Sequence, residues 1–218
     1  MTKYAFPPHD PVSLAIKGSS DRFPVRRIYC IGRNYEDHVK EMGGDVARSE
    51  PIFFTKAAET IVESGQDIPF PPNTTNLHYE VELVVAIGPD LGIFAYGVGI
   101  DLTRRDLQSA AKKKGGPWAR AKNFNRSAPC SALTRADQVD LSKAHIVLRK
   151  NGDIVQHGAL SDMIWNIEDI IERLRHDMDL QAGDLIYTGT PSGVGPVHVG
   201  DELSGGIEGL QRITVRFI

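Results

Sequence analysis

Cysteine is scarce in this sequence, with only Cys30 and Cys130 among 218 residues. Neither belongs to a C-x-x-C pair, so the usual signatures of structural zinc sites and of thiol redox enzymes are missing. Two cysteines also fall far short of the density of a disulfide scaffold. We therefore expect both thiols to be reduced and buried as small apolar side chains, and we expect a cytoplasmic protein.

Long hydrophobic runs and a surplus of basic charge are lacking as well. No apolar stretch approaches the ~20 residues of a membrane-spanning helix, and the N-terminal MTKYAFPPHDP has no apolar centre of the signal-peptide type. The formal net charge is -3, and the longest basic run covers only residues 112–114. These features argue against a membrane protein and against nucleic acid as a partner.

The composition that is present, 41% hydrophobic and 24% charged residues, is typical of a globular domain with a substantial core. Four prolines in residues 1–25 predict an extended N-terminal arm with one short strand near 12–16. We interpret residues 26–218 as a single domain. Its many short strands, with three or four helices and no regular strand–helix alternation, predict an α+β fold that is predominantly β.

Two local patterns are clear and carry no assigned chemistry. Asn151-Gly152 lies between two alternating stretches and predicts a hairpin with a type I′ turn. The spacing of apolar residues over Met163–Leu174 predicts an amphipathic helix.

The stretch NLHYEVELVVAIG predicts a strand in which His78, Glu80 and Glu82 share one face. It continues into residues 84–87, which are apolar enough to be buried on both sides. Two carboxylates beside such a core would repel each other and lose hydration unless a cation binds them. Oxygen ligands favour a hard ion such as Mg²⁺, Mn²⁺ or Ca²⁺. The alternative is a solvated edge strand with two unremarkable glutamates.

Two further charged groups are candidates for the same site. Asp101 ends a glycine-interrupted strand just before a predicted helix capped by Thr103, where it can supply a third oxygen ligand. Its alternative role is to offset the helix dipole. Lys122 lies among apolar and amide residues and can bind a polarised oxygen, or it is an ordinary surface lysine.

His38 and Glu41 lie three residues apart on a predicted helix of one or two turns over residues 36–42, closed by Gly43-Gly44. They therefore share a helix face, as an imidazole base and the carboxylate that orients it would. The alternative is a surface pair on a short helix. The glycine-rich loop of residues 183–195 follows a strand, and its backbone amides either hold an anion or form a plain wide turn.

Six segments in fixed order carry a family resemblance: GRNYEDHVKEMG, PIFFTK, HYEVELVVAIG, GIDLTRRDLQ, WARAKNF and GDLIYTGTPSGVG. From Arg26 onwards the chain resembles the fumarylacetoacetate hydrolase superfamily. It looks most like the short single-domain acylpyruvate hydrolases, and its N-terminal part is similar to the bacterial fumarylpyruvate hydrolases of gentisate breakdown. Two departures stand out. Only residues 89–93 separate the two central strands, where many relatives have a longer acidic segment, and Ala57 replaces a frequent proline.

The resemblance implies a mixed β-roll or sandwich, a homodimer, and one Mg²⁺ or Mn²⁺ per subunit, with Ca²⁺ also acceptable. The family pattern assigns residues as follows: metal ligands Glu80, Glu82 and Asp101; catalytic residues His38, Glu41 and Lys122; substrate-binding residues Gln108 and Thr190. His78 is no ligand in that pattern and is interpreted as packing behind the site. Cationic side chains that qualify by charge alone for contacts with the acyl group are Arg33, Lys56, Arg104 and Arg105.

The implied activity is metal-dependent hydrolysis of a carbon–carbon bond in a 2,4-diketo acid, with fumarylpyruvate giving fumarate and pyruvate as the main expectation. Three alternatives remain open. An oxaloacetate decarboxylase would use the same metal and lysine. An isomerase or decarboxylase of 2-hydroxyhepta-2,4-diene-1,7-dioate is a second alternative, and a non-catalytic binding module for small acids is a third.

Overall fold

The computed structural model describes residues 2–41 and 50–218, and in these ranges the chain consists mainly of strands. The predicted α+β, predominantly β class is confirmed. Strands β1 to β18 are Ser13–Ala15, Arg22–Pro24, Arg27–Gly32, Ile52–Lys56, Ile61–Glu63, Asp67–Ile68, Leu77–Tyr79, Val81–Ile87, Ile93–Ile100, Thr103–Arg104, Ala128–Cys130, Thr134–Arg135, His145–Lys150, Asp153–Ala159, Asp184–Tyr187, Gly195–Val197, Glu202–Ile207 and Ile213–Phe217. Helices α1 to α4 are Glu36–Glu41, Arg105–Lys114, Ala119–Lys122 and Ile167–Asp177, and 3₁₀ turns occupy Ala58–Thr60, Ala136–Gln138 and Leu160–Asp162.

Two sheets form most of the structure. The larger has the order β4-β3-β15-β8-β9-β11-β5, with β12 paired to β9, and the second has the order β14-β13-β17-β18-β6. A three-stranded sheet has the order β10-β7-β16, and its strand β7 is followed in the chain by β8 of the larger sheet. Strands β1 and β2 form a hairpin. Most neighbouring strands are antiparallel, but β3 runs parallel to β15, so the sheets are mixed.

Strand β8 is buried on both faces, as its apolar residues 84–87 predict, and all seven of its residues are buried. Leu83 and Val85 face the main core, which also receives side chains from β13, β17 and β18. Val84 and Ala86 face a second core that the β1–β2 hairpin closes. The predicted N-terminal arm therefore contains a hairpin whose Phe23 packs against the large sheet.

The two tight turns agree with the sequence. Asn151 and Gly152 both have positive φ, 54° and 95°, as a type I′ turn requires, and they join β13 to β14. The connection between β8 and β9 is short, and the Gly88 N–H donates to the carbonyl of Gly92 at 2.9 Å. The loop between β8 and β9 is therefore short in the folded chain, and this hydrogen bond closes it.

Three predicted boundaries are wrong. Helix α4 begins at Ile167 rather than Met163, because Asn166 caps it by accepting from the N–H of Asp169. Thr103 does not cap α2, since it lies in β10 and Arg104 occupies the cap position without a side-chain bond. The single strand predicted through Glu80 is two strands, because β7 pairs with β10 and β16 while β8 pairs with β9 and β15.

Helix α1 is confirmed over Glu36–Glu41, and the predicted glycine stop at residues 43–44 lies outside the described residues. None of the described helices is both long and apolar enough to cross a membrane.

Candidate active site

Three carboxylates meet where β7 gives way to β8 and where β9 ends. Strands β8 and β9 pair Val81 with Ile100, and the N–H of Asp101 donates to the carbonyl of Glu80 at 2.8 Å. This register places Glu80 and Asp101 opposite each other, with Glu82 two pairs further along and therefore on the same face as Glu80. One oxygen from each carboxylate lies within 4.8 Å of the others. The three residues are 5%, 1% and 1% exposed, and we call them the carboxylate floor.

Lys122, in α3, is the cation at the centre of this floor. Its ammonium donates to Glu80 at 2.7 Å, to Asp101 at 2.6 Å and to the hydroxyl of Thr103 at 2.7 Å. Burial alone lowers the pKa of Lys122, but the charges of Asp101 and Glu80 outweigh that effect and raise it. Lys122 therefore stays charged at neutral pH.

Two more cations complete the charge balance. Lys56 lies 2.8 Å from Asp101 and donates to the carbonyls of Leu102 and Lys122. Arg105 donates to Glu80 at 2.5 Å and to the side-chain carbonyl of Gln108 at 2.6 Å. Three buried cations thus accompany the three carboxylates, and among the described residues their contacts reach Glu80 and Asp101 but not Glu82.

Two observations indicate that the floor suits a divalent cation. Among the described residues, the Glu82 side chain has one hydrogen bond, from the Gly189 N–H at 2.8 Å, and burial together with Asp101 and Glu80 raises its pKa well above the ordinary value. Asp101 Oδ1 is buried and lies 2.8 Å from the Lys56 ammonium, but no described donor reaches it with hydrogen-bond geometry. Oxygens of this kind, all from carboxylates, suit Mg²⁺, Mn²⁺ or Ca²⁺. The floor can therefore hold one such ion, and Glu80, Glu82 and Asp101 are the residues that would hold it.

His38 lines the same cavity as the floor and is 7% exposed. Its Nδ1 lies 3.3 Å from a carboxylate oxygen of Glu41, so the pair predicted from their spacing is formed. Burial lowers the pKa of His38, and the charges of Glu80 and Glu41 offset part of that effect. A neutral imidazole at neutral pH can accept a proton.

The glycine-rich loop after β15 binds carboxylates, as its backbone suggests, but they belong to the protein. The Gly189 N–H donates to Glu82, and the Gly193 N–H lies 3.2 Å from both oxygens of Glu41. One loop therefore orients a residue of the floor and the partner of His38.

Sequence reasoning missed Gln156, which comes from the hairpin to which it assigns no chemistry. Its amide nitrogen donates to the hydroxyl of Thr190 at 2.8 Å, and its carbonyl accepts from the N–H of Val81 at 3.0 Å. Gln156 is 1% exposed and joins the loop to the strand that carries Glu82. A polar residue at an inward position of β14 is the signal that would have revealed it.

The other predicted residues separate into two groups. Those that line the cavity with His38 and the floor are Arg33, Gln108, Lys122 and Thr190, and Arg105 joins them. Lys56 lies behind the floor rather than in the cavity lining, and Arg104 packs its guanidinium over the ring of Phe124 at 4.3 Å. His78 is half-buried beside Asn76, and burial lowers its pKa to about 4.

Comparisons with known proteins show what this chain is similar to. The sequence profile of the fumarylacetoacetate (FAA) hydrolase C-terminal family matches residues 27–218. The fumarylpyruvate hydrolase of Ralstonia sp is 41% identical over 80% of this chain and 97% of its own. The human mitochondrial oxaloacetate tautomerase FAHD1 is 41% identical over 88% of this chain and 91% of its own.

Solved structures show the same relationship. The fumarylpyruvate hydrolase of Pseudomonas aeruginosa, in complex with Mn²⁺ and pyruvate, superposes with a TM-score of 0.95 at 41% identity and covers 99% of both chains. The family profile and these identities, over most of both chains, leave no doubt about the relationship. The chain belongs to the fumarylacetoacetate hydrolase family.

Proposed function

We propose that this enzyme hydrolyses the carbon–carbon bond between the two carbonyl-bearing halves of a 2,4-diketo acid, with fumarylpyruvate as the preferred substrate. The observation that carries the proposal is that His38, oriented by Glu41, lines the cavity above the carboxylate floor. Hydrolysis needs an activated water next to a bound 2-oxo acid, and this cavity provides a base and a cation site together. Relatives with the name fumarylpyruvate hydrolase that match over most of both chains support the choice of substrate.

Glu80, Glu82 and Asp101 would hold one Mg²⁺ or Mn²⁺, with Ca²⁺ as a weaker candidate. The ion would supply positive charge that polarises the oxygen of a 2-oxo acid. Gln108 and Thr190 line the same cavity and are proposed to contact the substrate, Thr190 being held in place by Gln156.

The protein's own groups would move the protons. With Nδ1 of His38 engaged by Glu41, the other ring nitrogen accepts a proton from water. The water oxygen bonds to the distal carbonyl carbon, and the bond between carbons 3 and 4 breaks. Its electron pair remains on the pyruvate part as an enolate, which takes up a proton to give pyruvate. The ammonium of Lys122 lies where it stabilises that negative charge.

A second candidate is tautomerisation of oxaloacetate, which the names of the human relative and of the Escherichia coli relative YcgM, 39% identical over 88% of this chain, favour. This reaction moves a proton between carbon 3 and the enol oxygen and breaks no carbon–carbon bond. It would use the same cation site and the same lysine. The two functions therefore share the cation site and the lysine, but they differ in their products, and only hydrolysis needs an activated water.

A product-based assay distinguishes them. The purified protein with Mn²⁺ or Mg²⁺ is given fumarylpyruvate, maleylpyruvate, acetylpyruvate or oxaloacetate. Fumarate, pyruvate and CO₂ are quantified, and the oxaloacetate enol is followed by its ultraviolet absorbance. We expect fumarate and pyruvate in equal amounts from fumarylpyruvate, and no product after EDTA treatment. His38→Gln should lower kcat by about 10²–10⁴-fold, whereas His176→Gln, on the exposed part of α4, should leave it unchanged.

Two results would contradict the proposal. Rapid loss of the oxaloacetate enol without cleavage of any acylpyruvate would establish the tautomerase. Release of CO₂ from oxaloacetate that survives His38→Gln would instead establish a decarboxylase.

The homodimer and the cytoplasmic location remain predictions. Light scattering on the purified protein tests the first, and fractionation of the source cells tests the second.

A further inference from the structure

Two cations at the opening of the active-site cavity have no carboxylate partner among residues 2–41 and 50–218. Arg33 and Lys112 both line the cavity, and both are exposed. Neither forms an ion pair with a described residue. We call these two residues the cationic rim.

The rim contrasts with the charges below it. Lys56, Arg105 and Lys122 each contact a carboxylate of the floor within 2.8 Å. Their positive charge is therefore already balanced within the protein. Among the described residues, the cations of the cavity lining that contact no carboxylate are those of the rim, so a ligand anion gains most there.

A sharp backbone turn places Arg33 at the opening, and an aromatic ring lies beside Lys112 there. Arg33 directly follows β3 and has a positive φ of 63°, so the chain turns sharply there. Lys112 lies in the last turn of α2, with its ammonium 5.2 Å from the centre of the Trp118 ring. Trp118 in turn packs against Phe54, at 6.0 Å between ring centres. The aromatic pair forms a wall between the floor and the rim.

The two cations lie close enough to affect each other. Partial burial and the positive charges of Arg105 and Arg33 lower the pKa of Lys112. Like charges held side by side without counter-ions repel, and a bound carboxylate would relieve that repulsion.

We propose that Arg33 and Lys112 bind a second carboxylate at the far end of the substrate, so that the cavity selects dicarboxylic over monocarboxylic 2-oxo acids. The inference rests on the proposed function in one respect, namely that the 2-oxo acid end of the substrate lies at the floor. Because the floor is at most 5% exposed, the other end of the substrate must point towards the rim. Fumarylpyruvate carries a carboxylate at that end, whereas acetylpyruvate carries a methyl group.

Binding of uncleavable probes tests the proposal without turnover. 2-Oxoheptanedioate and 2-oxoheptanoate have the same chain length as fumarylpyruvate, lack its second carbonyl group, and differ only in the terminal carboxylate. Their Kd values are measured by calorimetry on the Mn²⁺-loaded wild type and on Arg33→Gln, Lys112→Gln and the double variant. Lys113→Gln removes the same charge from the neighbouring position of α2, outside the cavity lining, and serves as the control.

We expect the wild type to prefer the diacid. Each single variant should weaken diacid binding about fivefold, as an exposed ion pair does, and the double variant should lose the preference. Binding of the monoacid should change less than twofold in all variants, and Lys113→Gln should resemble the wild type. No preference in the wild type, or an equal loss for both probes, would overturn the proposal.

The turnover assay is read separately. If fumarylpyruvate is not cleaved but the preference for the diacid persists, the proposed reaction fails and the cationic rim stands. If fumarylpyruvate is cleaved and the double variant cleaves fumarylpyruvate and acetylpyruvate in the wild-type ratio of kcat/KM, the reaction stands and the rim fails.

Discussion

The carboxylate floor and helix α1 face the same cavity, yet the protein holds them in different ways. Each carboxylate of the floor is at most 5% exposed, and buried cations contact Glu80 and Asp101 within 2.8 Å. Helix α1 spans only Glu36–Glu41, and the Glu41 side chain is 35% exposed. Ion pairs and the strands of two sheets hold the floor in place. The pair of His38 and Glu41, which we call the dyad, depends on a few hydrogen bonds.

The base of α1 is nevertheless firmly attached. Asn34 is completely buried, donates to the carbonyls of Trp165 and Thr188, and accepts from the Trp165 N–H at 2.7 Å. Beyond this anchor, the Gly193 N–H holds Glu41 at 3.2 Å. A short helix on a rigid base can open for substrate and close over it, while the floor keeps its geometry. We therefore expect mutations in the two regions to affect different quantities.

The largest effect is expected from Asp101→Asn. It removes the carboxylate that both Lys56 and Lys122 contact, so those buried ammonium groups lose a counter-charge. The metal-free protein should lose about 3–5 kcal/mol in the free energy of unfolding, measured in urea. Mn²⁺ affinity should fall at least about 100-fold and kcat by about 10²–10³-fold.

Asp137→Asn is the matched control, because its carboxylate is exposed and lies 3.8 Å from Arg135. Its unfolding free energy should change by less than about 1 kcal/mol. If Asp101→Asn were as stable as this control, the ion pairs of the floor would contribute nothing to the free energy of unfolding. The contrast with α1 would then disappear.

The sequence predicts what depends on local patterns. Alternation places Glu80 and Glu82 on one face, three-residue spacing brings His38 and Glu41 together, and Asn-Gly specifies its turn. The same local logic explains the error at Glu80. Alternation cannot show that the chain leaves one sheet and enters another at that residue.

The remaining part of the site is created by contacts between distant segments. Lys56 ends β4, an edge strand of the larger sheet, and meets Asp101, which follows β9. Arg105 follows β10 and reaches Glu80, which follows the neighbouring β7. Gln156 holds Thr190 although 34 residues separate them. No single segment contains the information for such contacts, so family resemblance rather than pattern assigned Lys122, Gln108 and Thr190 to the site.

A smaller effect is expected from Gly193→Ala, which tests how α1 is held. Gly193 has a φ of +95°, and an added Cβ would lie 2.1 Å from the carbonyl oxygen of Val155. The loop must shift, and the hydrogen bond to Glu41 should be lost with it. We expect a loss of about 1–3 kcal/mol in unfolding free energy and a fall in kcat of about tenfold, since His38 loses its orienting partner.

Gly152→Ala isolates the backbone strain from the clash. Gly152 has the same φ of +95°, and an added Cβ there would meet nothing within 4 Å. It should cost about 1–2 kcal/mol and leave kcat unchanged. Equal kcat values for the two variants would show that the Gly193 amide does not position the dyad.

The smallest expected effect is a shift in the pH dependence of the reaction. Burial lowers the pKa of His38 below 6.5, while Glu80 and the hydrogen bond and charge of Glu41 raise it in part. If His38 acts as a base, it must be neutral, so kcat/KM should fall as pH decreases through this lowered pKa. Glu41→Gln removes a partner that stabilises the imidazolium, and the acid limb should therefore move to still lower pH.

Loss of the metal at low pH would produce a similar fall in kcat/KM, because protonation of Glu82 opposes cation binding. The His38 pKa is therefore measured directly, from its ring resonances by NMR in the metal-free protein, with the signal assigned by its absence in His38→Gln. Glu172→Gln, on α4, removes an acid without altering the dyad and should leave this pKa unchanged. A His38 pKa that rises in Glu41→Gln would mean that the carboxylate does not stabilise the imidazolium. Helix α1 would then carry no functional pair of base and orienting carboxylate beside the rigid floor.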